Sequence, residues 1–133
     1  MRVRELMQRA VKTVSLDAAV NEAVVTLADS HISALPVVDG QGRMVGVISS
    51  SDILTSEAEA EDATAREALF EDTMLRDIMT PHPLTVLPDA DVREAAQQML
   101  YADIHRLFVV DSERVVGVIS TTDIMRAVAT GRL

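Results

Sequence analysis

Sliding the sequence along itself by 72 residues brings its two halves into register, and a duplicated chain has few ways to fold. Val3-Arg-Glu-Leu-Met7 falls on Leu75-Arg-Asp-Ile-Met79, Thr13-Val14 on Thr85-Val86, and Asp17-Ala18 on Asp89-Ala90. Leu35-Pro-Val-Val-Asp39 falls on Leu107-Phe-Val-Val-Asp111. One residue is then lost in a turn, and at an offset of 71 Gly46-Val-Ile-Ser-Ser-Ser-Asp-Ile53 matches Gly117-Val-Ile-Ser-Thr-Thr-Asp-Ile124. The 22 identities over about 52 aligned positions exceed what chance supplies, so two copies of one fold unit are expected.

Each copy reads as β-α-β-β-α. Thr13-Val14 and Thr85-Val86 are short extended pieces, and Asp17 and Asp89 stand where helix N-caps would, an acid suiting the positive helix start. Val20, Ala23, Val24 and Leu27 recur at i, i+3, i+4 and i+7, as do Val92, Ala95, Ala96 and Met99, each set marking one apolar helical face. β-Branched strands follow at Leu35–Val38 and Leu107–Val110. The turns Asp39-Gly-Gln-Gly42 and Asp111-Ser-Glu113 return the chain into Met44–Ile48 and Val115–Ile119. A helix opens near Ser51-Asp52 and Thr122-Asp123, residues that can cap it. The fold class is α/β in composition and α+β in layout, with two repeats packed as a pseudo-twofold pair, because a lone three-stranded sheet leaves one apolar face open. The boundaries read 1–55 for repeat one, 56–74 for a linker and 75–133 for repeat two.

Residues 55–74 carry seven acids against the single base Arg66, so two-thirds of the net charge of −9 lies in the connection. Its Glu and Ala favour a solvated helix over disorder, with Leu69, Phe70, Met74 and Leu75 docking its end. Only 2% of residues are aromatic, so the core is expected to be Val, Ile, Leu, Ala and the seven Met. An acidic chain with three aromatics has neither the basic stripe nor the stacking platform of a nucleic-acid binder. No run of 18 apolar residues spans a membrane, and the start carries Glu5 rather than an apolar signal stretch, so a cytoplasmic protein is expected. There is no Cys. His31, His82 and His105 are scattered without ligand spacing, so no metal site is expected. Neither a GxSxG nor a Walker-type loop occurs, and no enzyme is expected.

The repeated motif is Gly, two apolar residues, Ser, two variable residues and Asp, at Gly46–Asp52 and Gly117–Asp123. Two copies at matched positions resemble the cystathionine-β-synthase (CBS) domain, which occurs in tandem as the Bateman module. The resemblance runs from Val3 to about Ala127. It implies a regulatory module for an adenosyl ligand: AMP, ADP, ATP, S-adenosylmethionine or NAD. It implies ribose contacts for Asp52 and Asp123, ribose or phosphate contacts for Ser49 and Ser120 with Thr122 beside them, and adenine held along Thr13-Val14 and Thr85-Val86. Such roles are chemically apt, since a helix start favours phosphate and a carboxylate accepts two hydroxyl donors. Spacing alone favours both aspartates as helix caps, and the resemblance turns the reading to ribose.

Entering the second strand, the family commonly shows His-Arg-apolar-Pro. Repeat two has His105-Arg106-Leu107-Phe108, the basic pair without the Pro; repeat one has Ser33-Ala34-Leu35-Pro36, the Pro without the pair. A phosphate needs a compensating cation and Arg offers a planar fork, so a cleft using Arg106 is expected to hold a phosphorylated ligand better than one lined by Ala34. Which of two neighbouring clefts Arg106 serves stays open, as does a plain salt bridge for it; Phe108 is expected in the core. The resemblance further implies a homodimer formed through helices and a signal passed to a separate effector protein. The alternative is a ligand-free interaction or assembly module, in which the motif residues are caps and apolar helix faces take a protein partner.

Overall fold

The computed structural model describes residues 1–133. In chain order it contains α1 (Val3–Leu6), β1 (Val14–Ser15), α2 (Val20–Ser30), β2 (Ala34–Val38), β3 (Met44–Ser49), α3 (Ser50–Glu59), α4 (Ala63–Asp72), a 3-10 turn (Leu75–Asp77), β4 (Thr80–Pro81), β5 (Thr85–Val86), α5 (Val92–Ala102), β6 (Arg106–Asp111), β7 (Arg114–Ser120) and α6 (Thr121–Ala129). The β-α-β-β-α order of both repeats is therefore present, and the class is mixed α and β.

The chain divides into two compact units, Lys12–Pro83 and Met1–Val11 together with Leu84–Leu133. In the first unit β1 runs parallel to β2, β2 and β3 form a hairpin, and β4 adds to the far edge of β3, giving the order β1-β2-β3-β4. The second unit repeats this as β5-β6-β7, and Gln8 bridges Val118 at the edge that β4 occupies in the first. Each repeat thus gives its leading segment to the other repeat's sheet. The Gln8 N–H donates to the Val118 carbonyl at 2.8 Å and the Val118 N–H returns a bond at 2.9 Å. In the first unit Gly46 pairs with Pro81 and Val47 with Thr80.

The predicted helical faces are the buried ones. Val20, Ala23 and Leu27 enter the first unit's core with Leu35, Val37 and Ile48, while Val24 packs at its margin. Ala95 and Met99 do the same in the second with Leu107, Val109 and Ile119, and Val92 is buried beside them. The core is aliphatic, but of the seven Met only Met99 is buried; Met1, Met74 and Met125 are exposed. Val, Leu, Ile and Ala already fill the interior, and Met125 stands instead on the groove between α5 and α6. Phe108 is buried as expected.

Both long helices end identically. His31 and Asp103 take left-handed φ of 53° and 54°, and the following Ile32 and Ile104 N–H groups reach back to the Leu27 and Met99 carbonyls at 3.2 and 3.0 Å. This is a Schellman ending without glycine, with Ile over Leu27 or Met99 as its apolar contact. The hairpins turn differently: Asp39 Oδ1 accepts from the Gln41 and Arg43 N–H groups at 2.9 and 3.0 Å in the first. Ser112 and Glu113, with φ of 51° and 69°, make a two-residue turn in the second.

Several local expectations are corrected. Asp17 and Asp89 do not cap α2 and α5, which start two residues later behind Ala19 and Asp91. The two aspartates instead pair with Arg76 and Arg4. The first strand is Val14–Ser15, leaving Thr13 outside it. In the connection α3 continues to Glu59 and α4 follows; Leu69 and Leu75 are buried and Phe70 packs on them, while Met74 is exposed because its backbone, not its side chain, bridges Ala19.

Candidate ligand site at two equivalent helix starts

β3 and β7 pass into α3 and α6 without a loop, so the last strand residue becomes the helix cap. Ser49 and Ser120 occupy that position with φ, ψ of −116°, 162° and −117°, 163°. Each hydroxyl accepts the N–H three residues on, from Asp52 or Asp123, at 3.1 Å. Each aspartate answers through Oδ2, accepting the Ser49 or Ser120 N–H at 2.9 Å. This is a reciprocal capping box with Asp in the third helical position. The cap is therefore Ser49 and Ser120, two residues before the Ser51-Asp52 and Thr122-Asp123 pairs expected from the sequence. Thr122 lies exposed on the first turn of α6.

The second carboxylate oxygen has its own donor, and the sequence reading missed it. Gln8 Nε2 donates to Asp123 Oδ1 at 3.2 Å, and Thr80 Oγ1 donates to Asp52 Oδ1 at 3.2 Å. Residues 8 and 80 are equivalent in the internal alignment, each following the matched Met7 or Met79. The signal was present in that adjacency but hidden by the unlike side chains. A carboxylate has about four acceptor positions. With one bond on each oxygen, each aspartate keeps two for a further ligand. Asp123 is only 6% exposed, yet it lines a groove of about 310 Å³ between α1 and α6, together with Arg126 and Arg132. Arg126 Nη1 stands 3.6 Å from Asp123 Oδ1.

The hairpin register sets the basic residue beside the cap. Arg106 lies opposite Ser120, and the His105 carbonyl accepts the Thr121 N–H at 2.9 Å. Arg106 is half-buried and enters no ion pair, which removes the plain salt-bridge reading for it. In the first unit Ala34 stands opposite Ser49. Pro36 is buried opposite Val47, as Phe108 is opposite Val118. Val14 and Val86 are core residues, so what these short strands can offer a ligand is backbone and the flanking Thr13, which is exposed, and Thr85, which is half-buried. His105 is exposed and borders an apolar groove of about 240 Å³ between α5 and α6. A matching groove of about 280 Å³ lies between α2 and α3.

Two βαββα units, each closing on a Gly-apolar-apolar-Ser-x-x-Asp helix start, define a duplicated α+β module. The CBS domain model matches residues 3–59 and 75–130, and the chain belongs to the CBS domain family. Among curated relatives, it is 32% identical over 123 residues to an inosine-5'-monophosphate dehydrogenase of Methanocaldococcus jannaschii, covering 92% of this chain and 22% of that protein. It is 28% identical over 127 residues to a CBS domain-containing protein of Dictyostelium discoideum, covering 92% and 88%. The chain spans from 22% to 41% of the length of several of the curated relatives it matches. Among solved structures, CBSX2 of Arabidopsis thaliana in complex with AMP superposes with a TM-score of 0.83 at 26% identity, covering 99% of this chain and 98% of that one. The CBS domain pair of protein MJ0100, in complex with 5'-methylthioadenosine and S-adenosyl-L-methionine, superposes with a TM-score of 0.79 at 28% identity, covering 100% and 98%. No helix is long and apolar enough to cross a membrane.

Proposed function

We propose that the chain is a regulatory module that binds an adenosyl ligand through the starts of α3 and α6 and signals by a change of packing or assembly. The observation that carries the reading is Asp123: a buried carboxylate at a helix start, lining a groove, with two acceptor positions left and the unpaired Arg106 across the hairpin from its capping partner. A ribose hydroxyl matches the open positions of the carboxylate, and a phosphate matches helix N–H groups and a guanidinium. The CBSX2 complex with AMP and the MJ0100 complex with two adenosyl compounds support the ligand class. The site is read as one of binding, each carboxylate keeping acceptor positions for a ligand's hydroxyl donors.

Arg106 makes the two repeats unequal. The second repeat is expected to prefer AMP, ADP or ATP, and the first, with Ala34 in that place, a ligand without a phosphate at this position, such as S-adenosylmethionine. Thermal unfolding against AMP, ADP, ATP, S-adenosylmethionine and NAD tests this. A ligand at 100 times its dissociation constant stabilises by about 2.7 kcal/mol, a midpoint rise of roughly 4 °C or more. The rise is expected to vanish for phosphorylated ligands in Asp123→Ala or Arg106→Ala and to survive in Asp52→Ala. No rise with any ligand at millimolar concentration rejects the reading in favour of a ligand-free assembly module.

A homodimer is part of the proposal. Leu54 and Met125, repeat-equivalent residues 64% and 63% exposed, rim the two apolar grooves between helices. Leu54→Glu with Met125→Glu is expected to convert a dimer into a monomer in sedimentation velocity; an unchanged coefficient removes these faces as the interface.

A further inference from the structure

We infer that Gln8 and Thr80 are the residues that position the two motif carboxylates and complete a ribose clamp with them. The inference rests on the ribose reading of Asp123 and Asp52. Two unlike side chains, at equivalent places in the two repeats, make the same bond to the same oxygen: Gln8 Nε2 to Asp123 Oδ1 and Thr80 Oγ1 to Asp52 Oδ1, both at 3.2 Å. The Ser120 and Ser49 N–H groups hold the other oxygen at 2.9 Å, so each carboxylate is fixed at both ends and its plane is set. A carboxylate held at one oxygen can still rotate; one held at both presents its unused lone pairs in a fixed direction.

The donors themselves are held from behind. Gln8 exchanges two backbone bonds with Val118, and Thr80 pairs with Val47, each at the free edge of its sheet. The preceding Met7 and Met79 pack where a side chain on Gly117 or Gly46 would stand, 2.6 Å from the sulfur in each case. The leading segments are thereby registered on the strands that end in the capping serines. Strand, cap, carboxylate and donor form one closed set of bonds in each unit.

The second function follows from donor chemistry. While its amide N–H faces Asp123, Gln8 keeps a carbonyl Oε1, and while its hydroxyl hydrogen faces Asp52, Thr80 keeps oxygen lone pairs. Either can accept from the ribose hydroxyl next to the one the carboxylate takes. Ligands with an intact diol are therefore favoured over deoxy analogues by residue 8 or 80 together with the aspartate, not by the aspartate alone.

The test uses the full chain with Gln8→Leu and Thr80→Val, the conservative Thr80→Ser, and two pairs of probes measured by calorimetry: AMP and 2',3'-dideoxyadenosine monophosphate for the second repeat, adenosine and 2',3'-dideoxyadenosine for the first. Without ligand, the Asp123 and Asp52 side-chain carboxyl 13C resonances are followed in the same proteins. Gln8→Leu is expected to shift the Asp123 resonance alone and Thr80→Val the Asp52 resonance alone. Gln8→Leu is expected to weaken AMP about tenfold while leaving its dideoxy analogue within about twofold, and Thr80→Val to do the same to adenosine against 2',3'-dideoxyadenosine, with Thr80→Ser restoring adenosine. Unmoved carboxyl resonances overturn the positioning role. Equal weakening of both probes of a pair overturns the ribose role, since a general distortion would do that. If the resonances move but the wild-type chain retains neither AMP nor adenosine, the adenosyl reading fails together with the clamp, and positioning stands alone.

Discussion

Gly46 and Gly117 show what the repeated motif demands of a single position. A Cβ on Gly117 would lie 2.6 Å from the Met7 sulfur and 2.9 Å from the Gln8 carbonyl oxygen, and one on Gly46 meets Met79 and Thr80 likewise. A thioether can swing aside; a backbone carbonyl held in a sheet bridge cannot. Gly117→Ala is therefore expected to destabilise by about 1–3 kcal/mol in urea unfolding, and adding Met7→Ala is expected not to restore it. A glycine inside a strand leaves room for a ligand or a neighbouring segment, and here the leading segment's thioether and backbone fill it. Asp91 gives a second residue-scale prediction. The Arg93 N–H bonded to its carboxylate holds its pKa below the usual range, as the Arg43 N–H does for Asp39. A depressed folded value means that this stabilisation is complete above the ordinary carboxylate range and is lost as pH falls below it, through the depressed value. Asp91→Asn is expected to flatten the acid limb of a melting-temperature profile without steepening the neutral one. The sequence pointed to Asp17 and Asp89 as the caps because they match across repeats; Asp91 has Ala19 as its counterpart, and identity between copies concealed it. Gln8 and Thr80 escaped for the same reason, their partners standing 115 and 28 residues away.

At the scale of the element, the helices and hairpins were legible because their causes are local. The i, i+3, i+4, i+7 faces of α2 and α5 are the buried faces, and the strand pairs flank turns whose residues accept left-handed backbone. What could not be read was the ending of α2 and α5 on His31 and Asp103, since neither is the glycine that usually marks one. A left-handed β-carbon-bearing residue costs roughly 1 kcal/mol, which glycine avoids while adding entropy to the unfolded chain. His31→Gly is expected to stabilise the first unit by a few tenths of a kcal/mol to about 1 kcal/mol, seen as a rise in melting temperature. Loss of stability would mean that the imidazole makes a contact that outweighs the backbone strain. The acidic connection illustrates the reverse case: α4 was expected from Glu and Ala, and its capping Asp62, which accepts the Ala65 N–H at 2.8 Å, was there to be read.

For the whole molecule, the partition of the chain was not legible, because periodicity says which face of a segment is apolar and not which sheet it will join. Val3 is fully buried in the core of the second unit, 104 residues from Leu107 in sequence. Val3→Ala is expected to cost about 2 kcal/mol. Hydrogen exchange should report it in one place: amides of Val109 and Ile119 accelerate, and those of Val37 and Ile48 keep their rates. Acceleration at all four would show that the two units open as one.

The exchanged leading segments also impose an order on synthesis. The first unit holds only residues up to Pro83, so it can close while the rest of the chain is still being made. The second cannot: Gln8 must wait for Val118, so a segment made before the whole first unit finds its place only after that unit is complete. Through that interval the apolar side of α1, Val3 and Leu6, is uncovered. A slow ribosome would lengthen the exposure without altering a single contact of the finished protein.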